Sequence, residues 1–353
     1  SSDLRRPRAK VDGDAYYHVM SRCALQTYLL QDEGGEVKEM FMTILRRAEA
    51  FSGVKILNYC IMDNHFHILV FVPKRREVSE DLLRERIITL YGQKKAERIF
   101  DQWDQLIEDG DKITPEREKA AFRKRMYDIS EFMRTFKQRF SMWYRSNHAN
   151  IEGTIWQGAF HSVLVEGKHD ALGTISTYIS LNPVRAGMVD DAADYQWSGY
   201  GAASKGDKAA KEALLSGYRG NASLEEKWNA YQGMIATAMI EKVDGERELK
   251  VVTESKKGNE KEMKKPGKKE AGKNEAEDKA KLLKMRGIEA TKKRERRISR
   301  GLAFGSRSFV ESVIRESWKK SGMNRSMPLP YCLGDKDKPL FFAKDRKSTR
   351  LNS

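Results

Sequence analysis

His65 and His67 are separated by one residue inside the apolar run HFHILVFV. Side chains alternate along a strand, so both imidazoles share one face while Phe66 takes the other. Two neutral imidazoles on a rigid strand form a partial site for a divalent ion that needs a third ligand from elsewhere. An HxH pair alone does not separate ligands from two histidines that alternate along a half-buried strand. The second constellation is Tyr178 and Asn182 in YISLNPVRAG, one helical turn apart, so both can project from one face. Pro183 disfavours helical geometry at Asn182 and so loosens that expectation. A tyrosine hydroxyl, with an ordinary pKa of about 10, is a poor nucleophile at neutral pH. A cation bound to a phosphate would offset this by polarising phosphorus and stabilising the developing charge. Read alone, Tyr178 fits a half-buried packing position, and LNP fits a helix stop.

The elements that must position these residues can be read from periodicity. AYYHVMS, from Ala15 to Ser21, has the β-branched and aromatic content of a strand. Val37, Met40, Phe41, Ile44, Leu45, Ala48 and Phe51 recur at helical spacing, which predicts an amphipathic helix. VKILNYCI and HFHILVFV flank Met62, Asp63 and Asn64, predicting a β-hairpin that ends at Pro73. Residues 75 to 130 are charge-rich with helical patterns, and read as a helical insertion. Phe132, Phe136, Phe140 and Trp143 then lay an aromatic stripe along one helix that should cover the sheet. After GTIWQGAF come a strand candidate, HSVLVE, and a helix expected to start near an Asp170 cap and stop at Pro183. This order predicts an α+β fold, a ferredoxin-like split βαβ domain with an antiparallel sheet and a helical insertion.

Composition bounds the rest. The net charge of +15 and pI near 9.5 imply a polyanionic partner, nucleic acid or an anionic membrane surface. No apolar run reaches the roughly 18 residues of a membrane span and no signal peptide is visible. A soluble, cytoplasmic, nucleoid-associated protein is therefore expected. Cys23, Cys60 and Cys332 lack CxxC pairing, which argues against a disulfide framework or a cysteine-based zinc site. Residues 1–205 read as one catalytic domain and 206–253 as a helical extension. Residues 254–297 carry 17 Lys and Arg against 9 Asp and Glu, over half of the net charge, and read as a flexible linker. Residues 298–335 read as a small basic helical element. The closing KDRKSTRLNS resembles translated adapter sequence, so 336–353 is expected to add nothing to the fold.

Four motifs in order carry a family resemblance: NYCIMDNHFHILV, GTIWQGAF, YISLNPVRAGMV and DYQWSGY. Together, over roughly Asp14 to Tyr200, they resemble the REP-associated tyrosine transposases within the wider class of single-tyrosine HUH transposases. That resemblance implies a metal-dependent transesterase, using Mg2+ or Mn2+, that acts on single-stranded DNA near hairpins of palindromic repeats. By motif position, His65 and His67 would be the metal ligands and Tyr178 the nucleophile that forms a 5′-phosphotyrosine. Asn182 falls where such enzymes often place a further polar ligand. Arg22, Arg185 and Trp156 are candidates for DNA contact, the arginines at phosphates and the indole under a base. His18 and His161 are expected to be structural. Relatives usually carry an arginine before the phenylalanine of the WQ motif, where this chain has Ala159, so one DNA contact is in doubt. Such enzymes occur as homodimers with shared sites and as monomers, and the sequence leaves both open. A hairpin-binding repressor on the same scaffold is the alternative, though binding alone needs no nucleophile.

Overall fold

The computed structural model describes residues 9–31, 34–148, 153–218, 221–239, 302–320, 331–333 and 340–342. The charged stretch 254–297, read above as a linker, lies outside them, as does KDRKSTRLNS.

The catalytic core expected from the sequence is a sheet whose first four strands are β1 (Ala15–Arg22), β2 (Lys55–Ile61), β3 (His65–Val72) and β4 (His161–Val165). They lie in the order β2-β3-β1-β4 with every neighbour antiparallel, the split βαβ arrangement. Helix α1 (Glu36–Ser52) joins β1 to β2, and α5 (Ile129–Asn147) joins the insertion to β4. The insertion is helical, comprising α2 (Glu80–Tyr91), α3 (Gln93–Glu108) and α4 (Ile113–Lys124) around a core of its own that includes Leu83, Ile87, Phe100 and Trp103.

Alternation along the strands sorts the residues into two layers. Tyr17 and Val19 of β1, and Phe66, Ile68 and Val70 of β3, pack under α1 and α5. There Phe41, Phe136, Phe140 and Trp156 form a cluster of edge-on and tilted rings, with centroids 4.7 Å apart for Phe41 and Phe136. Each fully buried phenylalanine contributes roughly 1.5–3 kcal/mol, whereas an exposed ion pair gives about 0–1 kcal/mol. The aromatic stripe therefore holds α5 in place. Asp128 caps this helix by accepting from the backbone N–H groups of Ser130 and Glu131 at 2.7 and 3.1 Å.

The opposite face carries α6 (His169–Ser180), whose Leu172, Ile175 and Ile179 meet Leu57, Leu69 and Val163. Two details of this helix differ from expectation. Lys168 precedes it without a side-chain cap and Asp170 sits inside its first turn. Pro183 does not stop the chain but opens a further turn, α7 (Asn182–Arg185), after a break at Leu181. Proline is tolerated there because a first-turn N–H has no helical partner to lose. Behind α6 a third layer gathers α8 (Gly199–Ser204), α9 (Lys208–Leu215) and α10, described over 224–239, around Tyr200, Trp228 and Tyr231.

The C-terminal region departs most from the sequence reading. Three short strands, β5 (Ala303–Gly305), β6 (Tyr331–Leu333) and β7 (Leu340–Phe342), extend the sheet to seven in the order β2-β3-β1-β4-β5-β7-β6. β5 runs parallel to β4, so the sheet is not purely antiparallel. The element expected as helical only thus supplies strands on either side of α11 (Arg307–Lys320), and the tail expected to add nothing supplies β7. The physical reason is edge pairing, since β4 would otherwise present unpaired backbone groups. Glu166, just beyond β4, holds the junction by accepting from the Ser306 N–H at 2.6 Å and its hydroxyl at 3.0 Å.

Candidate active site

Strand register brings the site together. Arg22 lies opposite His65 and Met20 opposite His67, so β1 and β3 present Arg22, Met20, His18, His65 and His67 to the α6 side of the sheet. His18 Nε2 lies 2.9 Å from His67 Nδ1, with the two rings stacked. His65 Nδ1 hydrogen-bonds Asn64 Oδ1 at 2.7 Å. Both histidines of the pair thus use Nδ1 within the protein, an arrangement that leaves each Nε2 for a ligand and fixes the ring orientation. His161 shares this face on β4 but is two strands from His67, since Met20 lies between them in register.

Electrostatics favour the neutral imidazole. Burial, aided by the Arg22 cation and opposed by Asp63, brings His65 down to about 4. His67, 1% exposed, is held well below its ordinary value by burial and then by His18, His65, Arg22 and Arg185. Neutral imidazole is the form that binds metal, so this donor set fits a divalent cation as two of its ligands. Among the described residues no cluster of three His, Cys, Asp or Glu completes such a site.

The turn before the histidine strand is tied down by groups the sequence did not single out. Lys38 on α1, itself buried, donates to Asp63 at 2.6 Å and to the Tyr195 hydroxyl at 3.3 Å. Tyr195 in turn donates to the Ile61 carbonyl at 2.6 Å. Tyr195 belongs to the DYQWSGY motif, which gives that motif a mechanical role at the hairpin.

From α6, Tyr178 reaches the histidines. Its ring centroid is 5.7 Å from that of His67 and 5.8 Å from that of His18, edge-on to both. At 6% exposure Tyr178 is packed, not displayed, and the Arg185 guanidinium lies 4.9 Å from its ring centroid. Arg185 also donates to the Tyr178 carbonyl at 3.1 Å. Asn182 uses its amide nitrogen to cap the end of α6, donating to the carbonyls of Tyr178 at 2.9 Å and Ile179 at 3.3 Å. Its oxygen is the atom left for any ligand role.

Trp156 is corrected. It is 5% exposed, packed against Phe66, Phe136 and Phe140 on the α1/α5 side, with its indole N–H donating to the Lys137 carbonyl at 3.2 Å. Its ring is consumed by the core, and it lies on the face opposite the histidines. Of the sequence-derived candidates, the structure therefore gathers His65, His67, Tyr178, Asn182, Arg22 and Arg185 on one side of the sheet and leaves Trp156 on the other.

Residues 13–109 match the family model described as "Transposase IS200 like". That segment is similar to the IS200-like transposases. It spans β1 and the histidine strand and ends before α6, so Tyr178 stands outside the match. A solved structure described as a REP-associated tyrosine transposase bound to a REP hairpin is similar at 14% identity and a TM-score of 0.36, over 63% of this chain and 94% of that one. No curated protein matches the chain. No helix among its described residues is long and apolar enough to cross a membrane.

Proposed function

We propose that this chain cleaves and rejoins single-stranded DNA beside hairpins of palindromic repeats, with Tyr178 as nucleophile and a divalent cation, Mg2+ or Mn2+, on His65 and His67. The observation that carries the reading is the packing of Tyr178 against His67 and His18, two motifs far apart in sequence meeting across one face of the sheet. The family match over the histidine strand supports it independently.

In this reading the Tyr178 phenol oxygen attacks the scissile phosphorus, and the bond from phosphorus to the 3′ oxygen breaks. The phenol proton passes to solvent and the departing oxygen takes one up as a free 3′-hydroxyl, leaving a 5′-phosphotyrosine. Attack by a 3′-hydroxyl reverses the step, so strands rejoin without ATP because the ester bond is conserved. A bound cation would supply Lewis-acid stabilisation of the phosphate oxygens. His65 and His67 would hold it through Nε2, with His18 and Asn64 fixing their orientation and Asn182 Oδ1 as a third ligand. Arg22 and Arg185 would meet phosphates beside the reacting one.

The test is a labelled oligonucleotide with a hairpin and single-stranded flanks, incubated with Mn2+ or with chelator and run on a denaturing gel. A slow-migrating protein–DNA species that needs the metal is expected. Cleavage without that species would mean hydrolysis by water, and binding without cleavage would mean a non-catalytic hairpin-binding protein. Either result overturns the proposal.

A further inference from the structure

A buried polar network ties α6 to an element beyond the transposase-like segment. Asn58 sits at a β-bulge in β2, where the register with β3 shifts between Ile56 and Asn58. A bulge places successive residues on one face, so both Leu57 and Asn58 meet α6. The Asn58 amide nitrogen donates to the Ser176 carbonyl at 3.0 Å, the Ser176 hydroxyl at 2.9 Å and the Ser180 hydroxyl at 3.1 Å. Its oxygen accepts from the Tyr59 N–H at 2.8 Å. From α10, the Tyr231 hydroxyl meets Ser176 Oγ at 3.1 Å and Ser180 Oγ at 2.9 Å. All four residues are at most 2% exposed. A buried network of this kind is costly unless fully satisfied, and when satisfied it fixes one packing.

Helical geometry turns this into a lever. At about 100° per residue, Ser176 and Ser180 point to one flank of α6 and Tyr178 to the opposite flank. Leu172, Ile175 and Ile179, lying between, face the sheet. The apolar contacts hold the helix down but resist rolling weakly, because they are non-directional. Hydrogen bonds on one flank set the roll, and the roll sets the height of Tyr178 over His18 and His67.

We infer that Tyr231, on the helical extension, is a positioning residue that acts through Ser176, Ser180 and Asn58 to hold Tyr178 against the histidine pair, making α10 part of the catalytic unit. This rests on the reading of Tyr178 as the nucleophile. Tyr231→Phe keeps the ring and its packing and removes only the bridging hydroxyl. Two readouts on the full chain test it. Single-turnover adduct formation at saturating hairpin DNA should slow roughly tenfold, with DNA affinity changed less than twofold. Hydrogen exchange of the α6 amides should accelerate relative to those of β1 and β3. The Ser176→Ala, Ser180→Ala double variant should reproduce both effects. Unchanged α6 exchange and an unchanged adduct rate per folded molecule, even with a lowered Tm, would overturn the inference. If the wild-type chain forms no adduct, the nucleophile reading fails by that result. In that case the exchange measurement still decides whether Tyr231 holds α6.

Discussion

At the residue scale, the histidine pair depends on partners that orient it. His18→Ala removes the group at 2.9 Å from His67 Nδ1, and loss of such a supporting contact should lower metal affinity or cleavage 10–100-fold. Titration with Mn2+, followed by cleavage rate, measures it. Replacing His65 and His67 together by Ala should abolish metal-dependent cleavage while hairpin binding persists, and undiminished cleavage would refute the ligand assignment. The pair was legible in the sequence because strand alternation fixes the facing of His65 and His67 without any tertiary knowledge. The role of His18 was not, since it depends on the register between β1 and β3. Trp156 was misplaced for a related reason: an indole beside a motif can stack on a base or fill a core, and the facing of α5 decides which.

At the element scale, Glu166 fastens the C-terminal strands to β4. Burial pushes this carboxyl up, but hydrogen bonds from Lys168 and Ser306 outweigh it and hold it below its usual 4.5. A carboxylate lowered by folding stabilises fully above its unfolded pKa, and that contribution is lost as pH falls through the lower folded value. Glu166→Gln should therefore destabilise the fold by about 1–3 kcal/mol at neutral pH, with the difference from wild type shrinking under acid. Urea unfolding at pH 7 and pH 3 checks this. The long elements were legible because β1, α1, the hairpin and α5 carry full periods of alternation or helical spacing. AFG, YCL and LFF are three residues each, too short for a period to appear, so their place in the sheet arises only from the edge each one pairs with: AFG on β4, LFF on AFG and YCL on LFF. Asn58, Ser176, Ser180 and Tyr231 were equally invisible, being ordinary polar residues until a bulge and two helices bring them together.

At the scale of the whole molecule, the charge of +15 favours a polyanionic partner, but more than half of it lies on residues 254–297, outside the described structure. Under the proposed function, the charges that would act in cleavage are those beside the histidines. On single-stranded DNA each phosphate contact contributes about 0.7 to the slope of log affinity against log salt. Arg22→Ala and Arg185→Ala should each reduce that slope by about this amount. Neutralising Lys264, Lys265, Lys268 and Lys269 should leave the cleavage rate at saturating DNA unchanged. Binding measured by anisotropy across a salt series, with cleavage alongside, separates the two contributions. An unchanged slope in both arginine variants would remove them from the interface.

The most direct measurement of the central claim is the mass of the trapped adduct. Trypsin should release residues 169–185 as a peptide whose one tyrosine is Tyr178. After reaction with the hairpin oligonucleotide and nuclease trimming, fragmentation should place the nucleotide phosphate on Tyr178, and Tyr178→Phe should give no modified peptide. A phosphate on another residue, or an adduct that survives in Tyr178→Phe, would contradict the account.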